Sequence, residues 1–333
     1  RNSEEVTSTV LGISIDKEFM PSVANVIGTD LSRYKLISKG LFACNPMHVG
    51  RDERLPIALY EKDNAAIVSP AYFMFEIIDR DVLNEEYLMM WFRRPEFDRE
   101  CWFMTDGSVR GGISWDDLCR IQLPVPPYER QLDVVESYRA ITRRIAMKKE
   151  INDNLEAVLA ASHSKMFFSK DTSEHSKLGE LMTFGNGKSR PKTDGPIPVY
   201  GGNGVLSYTD HHNIENAVLI GRVGAYCGSV YLEQGICWVS DNAIFAKSKI
   251  TKDEFFDYFL LKRLNLFNHH VGTGQQLLTQ EILNNIEVPK PVTEQIELFN
   301  RKATSIFETI FTNSREIIRL QELSDLLLSR LAG

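Results

Sequence analysis

One phrase occurs twice in this chain. Residues 121–131 read IQLPVPPYERQ and residues 286–295 read IEVPKPVTEQ, each at the head of a long stretch with no internal proline or glycine. After the first, Leu132, Val135, Tyr138, Ile141, Ile145, Ile151, Leu155, Val158 and Met166 recur mostly every three or four residues. After the second, Ile296, Phe299, Ile306, Ile310, Ile317, Leu320, Leu323, Leu327 and Leu331 do the same. That spacing predicts two amphipathic helices. The prolines end the strand before each helix and fix a turn, and Glu129 or Glu294 places negative charge at the helix's positive end. A helix of ~37 residues is about 55 Å long, more than one domain needs for its own core. Pairing the two helices antiparallel buries both stripes; folding each back on its own domain is the alternative.

The halves match outside the phrase as well. IVSPAYFMFEI (residues 67–77) answers WVSDNAIFAKS (238–248), both of strand character with a turn inside, and EEYLMMWF answers FFDYFLLKRL, both apolar at helical spacing. TDGSVRGGISWDDLCRIQLPVP answers GTGQQLLTQEILNNIEVPKP: a glycine loop, Ser114 or Thr279 at a helix start, and a short strand closing on proline. The fold class expected is α+β, two similar mixed α/β domains and two long helices packed as an antiparallel coiled coil with pseudo-two-fold symmetry. The divisions fall at residues 1–127, 128–172 (helix), 173–291 and 292–333 (helix). The second domain opens on KLGEL (177–181) and the first has no counterpart, so the first domain is expected to lack a short N-terminal piece and its first edge strand.

Composition narrows the class. Hydrophobic content of 43% and charged content of 25% are globular averages, and no apolar run approaches the ~20 residues of a membrane span. RNSEEVTSTV has neither the basic start nor the apolar middle of a signal peptide, so the cytoplasm is the expected compartment. Five scattered cysteines without a zinc-type spacing are expected to be reduced core thiols. The net charge of -7 means that any nucleic-acid contact must come from local clusters of Lys and Arg.

The stretches LGELMTFGNGKSRPKTDGPIPVYGGNGVLSYTD, AVLIGRVGAYCGSVY, WVSDNAIF and GTGQQLLTQEILNNIEVPKPVTEQ, with YKLISKGLFACNPM and IVSPAYFMF in the first copy, resemble the DNA-specificity subunit of type I restriction-modification systems. The resemblance covers nearly the whole chain. It implies two target recognition domains alternating with two conserved helical regions, each domain contacting half of an asymmetric bipartite target in double-stranded DNA. It also implies two modification (methyltransferase) subunits as partners, with restriction (translocase/endonuclease) subunits joining them.

Catalytic motifs are not found in the sequence, so no catalytic residue, cofactor or metal is expected. GNGKS (185–189) lacks the P-loop's first glycine, because Met182 stands there. In VPPYER, Val125 replaces the polar residue that an amino-methyltransferase needs to hold its target amine. The pairs His211–His212 and His269–His270 are adjacent and share a metal poorly. YGGNG (200–204) is either an anion nest or, more commonly, a tight turn. Two alternatives stay open: the specificity portion of a bifunctional methyltransferase-nuclease, and a scaffold or interaction protein that does not bind DNA.

Base reading needs polar side chains on loops, with cations for the flanking phosphates. In the second domain Lys188, Arg190, Lys192 and Arg222 are the phosphate candidates, and Asn203, Tyr208, Gln275 and Gln276 the base-edge candidates. In the first, NPMHVGRDER offers Asn45, His48, Arg51 and Arg54, and Arg110 follows the glycine loop.

Overall fold

The computed structural model describes residues 1–2, 6–23, 28–47, 49–105, 111–169, 174–272 and 274–332. The chain forms two compact units, one of Arg1–Lys148 with Glu316–Gly333 and one of Lys149–Arg315. In the first unit the hairpin β1 (Val10–Ile13) and β2 (Phe19–Pro21) is followed by β3 (Lys35–Ile37), β4 (Phe42–Cys44), the single turn α1 (Val49–Asp52), β5 (Ile57–Leu59), β6 (Ala66–Val68) and β7 (Phe73–Phe75). Helices α2 (Glu85–Phe92), α3 (Pro95–Phe103) and α4 (Trp115–Arg120) come next, and then the long α5 (Tyr128–Phe168). The second unit holds β8 (His175–Lys177), α6 (Leu178–Leu181), β9 (Met182–Asn186), β10 (Ile197–Gly201), β11 (Gly204–Thr209), β12 (Ile214–Gly221), β13 (Val230–Val239) and β14 (Ala243–Ser248). It closes with α7 (Phe255–Arg263), α8 (Gln280–Asn285), β15 (Glu287–Pro289) and the start of the long α9 (Thr293–Ser329).

The second unit is built on one six-stranded sheet, ordered β11-β10-β13-β12-β14-β9, in which only β10 and β13 are parallel. The first unit follows the same path with two smaller sheets, β2-β1-β6-β3 and β5-β4-β7, and only β1 and β6 are parallel. The cause is local. Ala43 lies opposite Met74 as Leu219 lies opposite Phe245, so Gly40 stands where Asn216 stands. Both are left-handed, with φ of 84° and 48°. In β12 the kink is absorbed as a bulge between Glu215 and Ala217; at Gly40 the strand parts into β3 and β4, which pair with different neighbours.

A buried amide from the helix that follows ties each head together. Gln131, fully buried on α5, accepts from the Asn84 N–H at 2.9 Å and donates to the carbonyls of Val82 and Pro126 at 2.8 Å. Asn300 on α9 accepts from Phe256 N–H and donates to Thr251 Oγ1 and the Asp253 carbonyl, all at 2.9 Å. In both cases the amide satisfies the backbone entering a head helix, α2 or α7, at the point where helix ends leave orphan groups. Beneath α7 the core is continuous: Val218, Ile220, Ile244 and Ala246 of the sheet cluster with Phe255, Phe256 and Phe259 and with Ile296, Phe299, Ala303 and Phe307 of α9.

Within each unit α5 and α9 run antiparallel, as the paired stripes predict. In the first, Val135 clusters with Leu328 while Lys148 pairs with Glu316 at 2.7 Å. In the second, Asn313 donates to Asn152 at 2.9 Å and the His163 ring lies 5.3 Å from Phe299. Numbers rise on one helix as they fall on the other. The stripes themselves need correction. Ile151, Val158 and Leu323 are 41%, 60% and 49% exposed, whereas Asn152, Leu159 and Ser324 face inward. Counting apolar residues alone passes over the polar ones that keep the period. The thiols need one correction too: Cys44, Cys101, Cys227 and Cys237 are buried but Cys119 is exposed. The strand closing on proline forms as β15 in the second unit, and residues 122–124 of the first join no strand. Among the described residues no helix is long and apolar enough to cross a membrane.

Candidate nucleic-acid interface

At one end of the second unit's sheet five loops are stitched together by backbone bonds. Gly187 N–H donates to Ala243 at 3.1 Å and Lys188 N–H to Val239 at 2.9 Å, holding residues 187–188 against the turn at 240–242. This approach demands glycine, since a Cβ at Gly187 would lie 2.0 Å from the Ser240 carbonyl. Ser240 N–H donates to Tyr200 at 2.8 Å, and Arg222 N–H to Asn242 at 3.0 Å. Gly224 N–H reaches Gln276 at 3.1 Å, and Leu278 N–H reaches Arg222 at 2.9 Å. The Ser229 hydroxyl donates to the Gly202 carbonyl and so anchors the tight turn at 202–203 that joins β10 to β11. YGGNG is thus a hairpin.

The cluster gathers Lys188, Asn203, Arg222, Gln275 and Gln276 and leaves the rest of the candidates elsewhere. Lys188, Asn203 and Gln275 are exposed, and Arg222 and Gln276 are half-buried. The Arg222 Nε is buried without a hydrogen bond among the described residues. Arg190 is exposed on the loop after Lys188. Lys192 lies further on, beside Thr193, whose hydroxyl bonds Asp210 just beyond β11. Tyr208, 57% exposed, pairs with Pro198 and is likewise toward the far end of that hairpin from Asn203. Sequence inspection missed Tyr226, 51% exposed, and the exposed Asp241 and Asn242. Their signal was the short glycine and Asp-Asn turns after β12 and β13, which gain meaning only when distant loops meet.

The first unit repeats the joint with other side chains. Ile113 N–H donates to the Pro46 carbonyl at 3.1 Å, the counterpart of Leu278 to Arg222, in each case one residue before a helix cap. Gly50 N–H reaches Gly111 at 2.9 Å. Asn45 turns its side chain to the Met47 N–H at 3.1 Å. Arg51 is held by Asp52 at 2.7 Å and Arg54 by Asp16 at 3.3 Å, both in exposed pairs. Solvent screens such exposed pairs and leaves them weak, so a phosphate can displace the carboxylate. His48 and Arg110 lie outside the described residues.

The arrangement presents polar side chains on loops held by fixed backbone, twice over, with different residues each time. Among the described residues no three His, Cys, Asp or Glu side chains gather as metal ligands.

Residues 170–326 match the family model described as type I restriction modification DNA specificity domain. No curated protein matches the chain. Among solved structures, the type I restriction-modification system S subunit from M. genitalium is 15% identical with a TM-score of 0.58, over 89% of this chain and 84% of that one. The HsdS subunit from Thermoanaerobacter tengcongensis aligns over 99% of this chain and 91% of its own at 16% identity and a TM-score of 0.36. Residues 170–326 are therefore similar to type I restriction modification DNA specificity domains, and the chain has the fold of the M. genitalium S subunit.

Proposed function

We propose that this chain is the DNA-specificity subunit of a type I restriction-modification complex, acting in the cytoplasm, and that each head reads one half of an asymmetric bipartite target. The observation that carries the proposal is the repeated joint: Ile113 to Pro46 and Leu278 to Arg222 fix the same pair of loops in each unit while the side chains they display differ. Conserved backbone with unlike polar residues is what two readers of different half-sites require. The helices set the length of unread duplex between the halves and dock two methyltransferase subunits, which restriction subunits join. Apolar side chains left exposed on them, Met147 (60%), Val158 (60%) and Ile318 (56%) among them, support a docked partner. Domain limits at 1–127 and 173–291, with helices at 128–172 and 292–333, are part of the proposal. The test is to replace residues 178–288 with the corresponding head of another specificity subunit, co-express the chimera with the methyltransferase, and map methylated bases. One half of the target changes and the other stays; a change in both halves, or in neither, refutes it.

A further inference from the structure

Arg222 differs from the other cations expected on phosphates. Its backbone is held from two sides inside the loop cluster: its N–H donates to the Asn242 carbonyl at 3.0 Å, and its carbonyl accepts from Leu278 N–H at 2.9 Å and from the Cys227 thiol at 3.4 Å. The surroundings are close-packed. A Cβ on Gly221 would lie 2.1 Å from the Tyr226 carbonyl, so only glycine lets β12 deliver the next residue here. A Cβ on Gly202 would stand 3.7 Å from the Asn242 carbonyl and from Tyr226 Cβ, and 3.8 Å from the Val223 carbonyl. The turn that carries Asn203 therefore lies against the segment that carries Arg222. From Gly224, the N–H bond to Gln276 brings the glutamine loop to the same segment.

The side chain is half-buried with Nε inside, and among the described residues the guanidinium has no hydrogen-bond or ion-pair partner. Arg51 and Arg54 of the first unit, by contrast, are exposed and paired with Asp52 and Asp16. Lys188 and Arg190 are exposed too, on a loop that the Gly187 and Lys188 N–H groups attach to Ala243 and Val239, at the two ends of the 240–242 turn. An exposed cation on a loop follows a phosphate wherever it lies; an arginine with a buried Nε offers its terminal fork from a fixed stem. The first unit has no such residue. Ala43 and Leu219 hold equivalent places opposite β7 and β14, so Pro46 stands where Arg222 stands, and its carbonyl accepts from Ile113 as that of Arg222 accepts from Leu278. Proline also lacks the N–H that ties Arg222 to the 240–242 turn. Phosphates line both half-sites of any target, whereas a given base stands in one. A held cation present in one head alone therefore suits a base.

We propose that Arg222 reads a guanine for the second head, its fork set on O6 and N7 in the major groove, while Lys188 and Arg190 take the phosphates beside it. The assignment rests on the reading of the chain as a specificity subunit. Arginine on the O6 and N7 edge of guanine is the commonest specific contact between side chain and base, because two parallel N–H groups meet two acceptors in one plane. The neighbours agree: Asn203, Asn242 and Gln276 are amides, which serve base edges.

The experiment uses the chain co-expressed with its methyltransferase, once methylation mapping has given the wild-type target. Each guanine of the target is replaced in turn by 7-deazaguanine, which lacks N7 and leaves base pairing intact. Binding is measured for the wild type, Arg222→Gln and Arg222→Lys. For the wild type, a guanine in the half that changes on exchange of residues 178–288 responds with a loss of about tenfold or more. Arg222→Gln loses at least as much on the unmodified duplex and nothing further on that modified one, and its salt slope is that of the wild type. Arg222→Lys keeps the charge without the fork and does not restore the discrimination. The proposal is overturned when no guanine of that half responds, or when the same guanine responds equally in Arg222→Gln. A uniform loss on all sequences, with a slope smaller by about 0.9, marks a phosphate contact and overturns it too. The scan of the wild type alters only the DNA, so it decides even where a variant folds poorly. A wild-type complex that marks no defined sequence fails the specificity reading itself, and this assignment falls with it.

Discussion

Gln131 and His163 show what single buried polar groups do in this protein. Gln131 satisfies three backbone groups at the entrance to α2, so Gln131→Leu strands an N–H and two carbonyls together. At about 1 kcal/mol or more for each buried group left unmatched, the loss is on the order of 3 kcal/mol, read as a drop in chemical-denaturation midpoint without a change in secondary structure. His163 is a different case. It is 1% exposed, its Nε2 makes no hydrogen bond, and the rings of Phe167, Phe256 and Phe299 lie 5.0 to 5.3 Å away. Burial, and secondarily the charge of Arg263, pushes its pKa down to about 3. A histidine with a depressed folded pKa is held neutral, so its contribution is intact above the unfolded pKa of about 6.5 and is lost as pH falls from there toward 3. The slope from this one group approaches about 1.4 kcal/mol per pH unit. His163→Leu therefore flattens the fall in stability between pH 6 and pH 4; an unchanged curve shows that the ring is reached by solvent.

At the scale of elements, a polar contact sets the register of the helix pair in the second unit. Asn152 donates to Ser314 Oγ at 3.3 Å and accepts from Asn313 at 2.9 Å, across the seam between the two helices. Such groups lower stability and fix alignment. Asn152→Leu removes the oxygen to which Asn313 donates and destabilises by roughly 1–2 kcal/mol, while Asn152→Leu with Asn313→Leu recovers the loss, giving a coupling of about 1 kcal/mol in a double-mutant cycle. Strict additivity would show that the two side chains act apart. This contact also marks how far the sequence could be read. Helix spans, caps at Ser114 and Thr279 and the doubled head were legible because hydrophobic period and capping residues are local signals. Asn152 and Ser324 were not, since their inward position depends on the opposite helix. Nor was the parting of β3 from β4: Gly40 and Asn216 share one backbone conformation, and the neighbouring strands decide whether it becomes a break or a bulge. In the candidate interface Lys188, Arg222 and the glutamines were visible as loop polars. Tyr226 and Asn242 belong with them only through bonds between residues far apart in the chain, and the carboxylates on Arg51 and Arg54 are visible only in three dimensions.

For the whole molecule, the proposed function makes charge decide how DNA would be held. A net charge of -7 opposes a phosphate backbone at long range, and among the described residues the basic side chains at the candidate interface are few: Lys188 and Arg222 in the second unit's cluster with Arg190 on the loop just after it, and Arg51 and Arg54, already engaged, in the first. Each phosphate that a cation neutralises contributes about -0.9 to the slope of log affinity against log salt, so a chain with this few contacts is expected to bind duplex weakly and with a shallow salt dependence. In the proposed complex, methyltransferase partners that add positive surface would steepen that slope and raise affinity together. Within such a complex, Lys188→Gln with Arg190→Gln lowers the magnitude of the slope by roughly two units and weakens binding to all sequences alike. Asn203→Ala or Gln276→Ala instead relaxes preference at one base position while the slope stays put. Fluorescence anisotropy at several salt concentrations separates the two outcomes. Tight binding by the chain alone that ignores salt would place its DNA contacts somewhere other than these loops.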